Sequence, residues 1–288
     1  MRVLTISYTS FVENPFFIVG AVNVTVDSFH DGGQFSSTEA AVKRAGEMLR
    51  EGADIIEIGG ESTGPGSKDV SLEEERSKVI PVIRAIRKQF PKTKLSVDTW
   101  KTEVVLEAVK EDVVMINDVT AGRGSDGAMF EVLKDTDVSL VLMYSKDATP
   151  RTTIADVRYD DVIDTISAFL RQRKGAAIAA GIAPDRIILD PGLGHFVSSD
   201  AKYSFEIIAR LGEFLTLGSP VFVSPSRKSF LAGWENLKTE DRLPGTIAAS
   251  ARAVQSGATY IRTHDVASVR RGCEIALKIR NRIKNQEL

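Results

Sequence analysis

Polar residues capable of chemistry recur at one kind of place in this 288-residue chain, the carboxyl end of a short apolar run. Asn23 closes the run from Phe17, Glu57 and Glu61 flank the end of Asp54 to Ile58, and Asp98 closes Lys94 to Asp98. Asn117 and Asp118 end the run from Val113, Asp190 ends Arg186 to Asp190, and Arg262 and His264 end Thr259 to His264. Asp98, Asn117 and Asp190 supply two carboxylates and an amide, a set suited to a neutral heterocycle rich in N–H donors. Lys228, Arg262 and His264 have the opposite character and suit an anion. The spacing Arg262-Thr-His264 puts both side chains on one face of a strand, because side chains there alternate with period two. In Val221-Phe-Val-Ser-Pro-Ser-Arg-Lys-Ser-Phe230 a buried-strand pattern breaks at Pro225 and is expected to open a helix over Ser226 to Ser229. Unpaired N–H groups and the helix dipole would attract a carboxylate or phosphate there. Each residue also has an ordinary reading, as a helix cap, a rim hydrogen bond or a solvated turn. Their coincidence at so many strand ends is what points to a site.

The elements that would position these residues alternate. Phe17 to Asn23, Asp54 to Ile58, Lys94 to Asp98, Val113 to Asn117, Ser139 to Tyr144, Arg186 to Asp190, Val221 to Ser224 and Thr259 to His264 read as strands. Leu4 to Tyr8 reads as an extra strand in an N-terminal extension over 1–16. Capping boxes, Ser36 with Glu39 and Ser71 with Glu74, open the first two helices, and helical patterns follow around Val104 to Lys110, Phe130 to Lys134, Val162 to Ala180, Tyr203 to Leu217, Thr246 to Gln255 and Val266 to Lys284. Strand-then-helix units in this number predict an α/β chain folded as a TIM (β/α)8 barrel spanning 1–288 as a single domain. The alternative, a doubly wound open sheet, usually carries a Gly-rich turn after its first strand, where this chain has Asn23-Val-Thr-Val-Asp27. In a barrel all the strand ends named above converge on one rim.

Composition excludes several classes. A formal net charge of −2 gives no basic field for nucleic acid or an anionic membrane surface. Phe16 to Val22 is too short a run to span a bilayer, and the N-terminus lacks the pattern of a signal peptide, so a cytoplasmic protein is expected. The one cysteine, Cys273, can form no internal disulfide and reads as a buried structural thiol.

Seven segments together resemble the dihydropteroate synthase family: Gly20 to Gly33, Gly59-Gly-Glu-Ser-Thr-Gly-Pro-Gly66, Ser96-Val-Asp-Thr99, Ile116-Asn-Asp118, Asp190-Pro-Gly192, Ser226-Arg-Lys-Ser-Phe230 and Arg262-Thr-His-Asp-Val266. They occur in the family's order from about Ile18 to Val266. The resemblance implies a TIM barrel that joins 6-hydroxymethyl-7,8-dihydropterin diphosphate to p-aminobenzoate, giving 7,8-dihydropteroate and pyrophosphate, with Mg²⁺ as cofactor and a homodimer as the assembly. By that resemblance Asp98, Asn117, Asp190, Lys228, Met143 and Gly194 hold the pterin. Asn23, Arg262 and His264 take the diphosphate, with the metal at Asn23, and Ser229, Thr63, Pro65 and Phe196 line the p-aminobenzoate site. Asp31, Lys228, Arg262 and His264 are the expected catalytic residues, Asp31 from a mobile first loop that closes the site. A methyltetrahydrofolate-type pterin methyltransferase and a non-catalytic pterin-binding protein are the alternatives. The first has no use for two anion sites, and the second would be expected to lose Asn23, Lys228 or Arg262, all of which are present.

Departures from the family pattern are expected to matter locally. Val26 stands where the family has Pro, Gly64 where it has Arg, and Tyr144 where it has His. After the sixth strand the chain reads Asp190-Pro-Gly-Leu-Gly-His-Phe-Val, without the family's Lys and with the extra aromatic Phe196. An added aromatic there is similar to the sulfonamide-insensitive resistance enzymes, although Glu61, Ser62 and Thr63 keep the ordinary form. Phe196 either narrows the rim of the p-aminobenzoate pocket or packs against the next helix.

Overall fold

A computed structural model describes residues 16–24, 37–125 and 127–284. The expected strand at Leu4 to Tyr8, the Ser36 cap, and the first loop with Val26 and Asp31 lie outside these residues. In chain order the elements are β1 (Phe17–Asn23), α1 (Ser37–Arg50), β2 (Ile55–Gly59), α2 (Leu72–Gln89), β3 (Lys94–Asp98), α3 (Thr102–Lys110), β4 (Met115–Asp118) and α4 (Ala128–Leu133). They continue with β5 (Ser139–Met143), α5 (Val162–Ala179), β6 (Ile187–Asp190), α6 (Ala201–Ala209), β7 (Phe222–Val223), α7 (Leu243–Gln255), β8 (Tyr260–Thr263) and α8 (Val266–Lys284).

All strand pairs are parallel, in the order β6-β5-β4-β3-β2-β1-β8-β7. A bridge between Leu189 and Val221 joins the two ends, with the Leu189 N–H donating to Pro220 O at 3.0 Å. The sheet thereby closes into the TIM barrel the alternation predicts, and the open doubly wound sheet is excluded.

Strand parity divides the core in two. Ile18, Ile56, Val97, Ile116, Leu140, Leu189 and Ile261 point outward into the layer under the helices. Phe17, Val19, Ile55, Met115, Val141, Ile188, Phe222 and Tyr260 point inward and form a separate apolar plug. Its aromatic rings stack, Phe17 on Tyr260 at 5.5 Å and Phe222 on Tyr260 at 6.1 Å between centroids. Period two then dictates what lies above the plug: Glu57 follows Ile55, Asn117 follows Met115, Asp190 follows Ile188 and Arg262 follows Tyr260, each one inward step nearer the carboxyl ends. The site is the polar top layer of a barrel whose lower layers are filled.

Three local expectations are revised. Ser71 Oγ caps α2 through Glu74 N at 3.1 Å, but the Glu74 carboxylate turns to Lys78 Nζ at 2.5 Å, so only half of the capping box forms. The helix expected over Tyr203 to Leu217 is α6 followed by a 3-10 segment from Leu211 to Leu217. Ser226 to Ser229 starts no α-helix: a 3-10 turn spans Ser229–Ala232 and α7 begins only at Leu243. The left-handed backbone of Arg227, φ 53°, and of Gly233, φ 65°, interrupts helical propagation on both sides of that turn. Cys273 is buried, and burial pushes its thiol up to about 12. Ala249, Ala253 and Ala276 are buried too, so these small residues serve packing within the protomer.

Candidate active site

The floor of the barrel mouth is an ionic cluster built from β2, β3, β4 and β8, with β1 lying between β2 and β8. Glu57 on β2 is fully buried, and its carboxylate accepts from Ser96 Oγ at 3.2 Å, from Asn117 Nδ2 at 3.4 Å and from Arg262 Nε. Arg262 NH2 donates to Asp98 Oδ2 at 3.0 Å. Burial alone would lower the Arg262 pKa, but the Glu57 and Asp98 carboxylates overcome this and raise it, so the guanidinium is permanently charged. Burial pushes the Asp98 carboxyl up to about 7, against the pull of Arg262 and with a further push from Glu57. Asn117 is 6 % exposed, and its Oδ1 has no hydrogen-bond partner. Gly59 keeps this corner open, because a Cβ there would lie 3.6 Å from Asp98 Cβ and 3.7 Å from Asn23 Oδ1.

Across the mouth, Asp190 at the end of β6 accepts from Gly192 N at 2.8 Å. Burial pushes its carboxyl up to about 6, opposed by Lys228. Burial lowers the Lys228 ammonium to about 8, with Asp190 pulling it back up. Lys228 Nζ donates to Leu193 O at 3.2 Å and sits 4.8 Å from the centre of the Phe196 ring. The ring of Phe196 therefore faces Lys228 at the mouth. Gly194, at φ 66°, is drawn close to the same group: a Cβ there would meet Ser229 Oγ at 3.5 Å and Lys228 Cδ at 3.6 Å. The structure thus brings Asp190, Gly194, Phe196, Lys228 and Ser229 together.

The remaining expected residues are more dispersed. Met143 is buried and pairs in register with Asp190. Asn23 is exposed at the rim. His264 Nδ1 lies 3.0 Å from Ala21 O, and since a carbonyl only accepts, this nitrogen carries the proton and leaves Nε2 for the mouth. Burial and the neighbouring Arg262 lower the His264 pKa. Thr63 is half-buried and Pro65 exposed in the loop between β2 and α2. Two strand-end ions are structural. Asp118 takes Thr120 N at 2.8 Å, Thr120 Oγ1 at 2.7 Å and Gly122 N at 2.6 Å, and Arg227 clamps Asp265 at 2.6 Å and the Glu240 carbonyl at 2.9 Å.

Both carboxylate partners of Arg262, Glu57 and Asp98, lie in the floor, a pairing that strand position does not announce. Glu57 is the residue sequence reasoning underused, and its parity with Ile55 is the signal that marks it as inward-facing. Among the described residues no group of three or more His, Cys, Asp or Glu is gathered to hold a metal.

The sequence profile of the pterin binding enzyme family matches residues 19–264, from β1 past the end of β8. The dihydropteroate synthase of Escherichia coli strain K12 is 39% identical over 249 residues, covering 86% of each chain. A structure of Xanthomonas albilineans dihydropteroate synthase with 4-aminobenzoic acid superposes with a TM-score of 0.85 at 38% identity, covering 92% of this chain and 93% of that one. The same Xanthomonas enzyme in complex with 7,8-dihydropteroate gives a TM-score of 0.81 at 37% identity, covering 92% and 94%. With its barrel, its motif order and these relatives in agreement, the chain belongs to the pterin-binding enzyme family, among the dihydropteroate synthases.

Proposed function

We infer that the barrel mouth carries out the dihydropteroate synthase reaction, in which the amine of p-aminobenzoate attacks the pterin methylene, the C–O bond to diphosphate breaks, and the amine gives up a proton. The observation that carries the residue assignment is the buried, unpartnered Asn117 Oδ1 beside Asp98, a place that demands a donor from a ligand. Asp98, Asn117 and Asp190 accept the N–H groups of the pterin, Lys228 donates to it, and Met143 and Gly194 complete the wall. Arg262 stays with Glu57 and Asp98 and lies against the ring rather than at the phosphates. Neutral His264 presents Nε2 as an acceptor, so it binds the diphosphate by taking a proton from solvent as the anion arrives. Asn23 is exposed and offers one amide oxygen, which fits Mg²⁺ held chiefly by the substrate diphosphate, since this ion keeps several waters and needs few protein ligands. When bound, the ion neutralises the leaving diphosphate.

Ser229, at the start of the 3-10 turn, takes the p-aminobenzoate carboxylate, with Thr63, Pro65 and Phe196 around the ring and Asp31 closing from the first loop. The Phe196 ring, held beneath Lys228, narrows this pocket against the extra bulk of a sulfonamide. A homodimer is formed through α8, where Ile275 and Ile279 stand one turn apart and exposed. A single buried cysteine suits the reducing cytoplasm. No helix among the described residues is long and apolar enough to cross a membrane. The pterin reading is tested by titrating the wild type and Asp190→Asn with the pterin diphosphate in a calorimeter. Replacing a buried charged acceptor should weaken binding at least about tenfold, and equal affinities would remove Asp190 from the site.

A further inference from the structure

The long segment between β5 and α5 touches both walls assigned above to p-aminobenzoate. On the β2 side, Arg151 NH2 donates to Glu61 and to Lys68 O at 2.8 Å, and Arg151 NH1 donates to Asp69, residues 82 to 90 positions away in sequence. Thr152 N donates to Thr63 O at 3.0 Å. On the β6 side, Thr152 Oγ1 donates to His195 O at 2.8 Å and Lys146 N donates to Phe196 O at 2.8 Å. One short strap is thereby bonded to the backbone at Thr63 and at Phe196.

The loop it holds is poorly suited to hold itself. Gly64-Pro-Gly66 has Gly66 at φ 77°, and a Cβ at Gly64 would meet nothing nearer than Ser62 Oγ at 3.7 Å. Two glycines give the unclamped loop many conformations. Its own closures are Ser67 N to Gly64 O at 3.2 Å and Ser67 Oγ to the same oxygen at 2.7 Å.

We propose that Arg151 and Thr152 are positioning residues that fix the spacing between the Thr63 and Phe196 walls, and so set the affinity of the site for an aromatic amine bearing a carboxylate. The inference rests on the p-aminobenzoate reading of Thr63 and Phe196. The arrangement separates this role from fold maintenance. Glu61 is 4% exposed and also binds Lys101 Nζ and Trp100 Nε1 at 3.2 Å, while Lys101 reaches the fully buried Glu75 at 2.6 Å. Without Arg151 the carboxylate of Glu61 keeps two donors, so the buried cluster survives and only the outer loop is freed. The contact to Asp69, which is 93% exposed, adds little by itself.

The test is steady-state kinetics of Arg151→Met, Arg151→Lys and Thr152→Val, with Thr63→Val as the control for the pocket reading. Arg151→Met should raise KM for p-aminobenzoate about tenfold while kcat and KM for the pterin diphosphate stay within about twofold. Arg151→Lys should recover part of that loss, and Thr152→Val, similar in shape but without the hydroxyl that reaches His195 O, should raise the same KM about threefold. Unchanged KM for p-aminobenzoate in Arg151→Met and Thr152→Val, with an increase in Thr63→Val, would overturn the positioning role alone. No change in any of the variants would overturn the pocket reading and the proposal together. A parallel loss in both KM values and in thermal stability would reduce Arg151 to a structural residue.

Discussion

At the scale of the residue, the site is defined by groups that burial has moved toward neutrality. Asp190 is pushed up to about 6 and Asp98 up to about 7, while Lys228 is brought down to about 8. The proposed pterin contacts require both carboxylates ionised and the ammonium protonated. As pH falls through 7 and then 6 the acceptors become donors facing donors, and as it rises through 8 the Lys228 cation is lost. The kcat/KM for the pterin diphosphate should therefore be bell-shaped with its maximum between about 7 and about 8, since this ratio reports the free enzyme. In Asp190→Asn the acid limb should steepen less; a profile flat from pH 6 to 9 would contradict these assignments. That Asp98, Asn117 and Asp190 face the barrel mouth was legible from strand-end position, whereas Lys228, five residues beyond β7, was pointed to only by the Ser226-Arg-Lys-Ser-Phe230 motif. The partnership of Arg262 with Glu57 and Asp98 was not, because strand parity gives direction and says nothing of which neighbour a guanidinium will choose.

At the scale of the element, short runs decide specificity. The strands were readable because each is a short, mostly apolar run broken by polar or turn residues, and β3, Lys94–Asp98, matches its expected bounds. The turn after β7 was misread as an α-helix because positive φ at Arg227 leaves no mark on composition. The strap from β5 escaped sequence reading for a different reason: Arg151 and Glu61, 90 positions apart, meet only because the loops after β2 and β5 lie on the same rim. On the β6 side, the 3-10 turn Gly194–Phe196 presents its aromatic ring to Lys228. Phe196→Ala should strengthen sulfamethoxazole inhibition about tenfold relative to KM for p-aminobenzoate, if one ring edge sets the exclusion. Inhibition constants that move no more than KM would show that the ring packs without discriminating.

At the scale of the whole molecule, the barrel is a plugged cylinder with chemistry on one face. Eight inward-facing apolar residues fill the lower layers, so the polar layer is held on a rigid base and its charged groups cannot sink from the mouth. That arrangement gathers residues scattered from Asn23 to His264 into one site, which is why the sequence disclosed the site's composition more readily than its internal pairing. Helix-facing and barrel-facing residues differ only in parity, and parity survives in the sequence wherever a strand is regular. Condensation of two substrates at this mouth is tested directly by pyrophosphate release with dihydropterin diphosphate, p-aminobenzoate and Mg²⁺, comparing wild type with Asn117→Leu. Release should require both substrates and fall at least about tenfold in kcat/KM in the variant, which cannot meet the pterin's donors. Pterin binding with no release from the wild type, or equal release from the two proteins, would contradict condensation at this mouth.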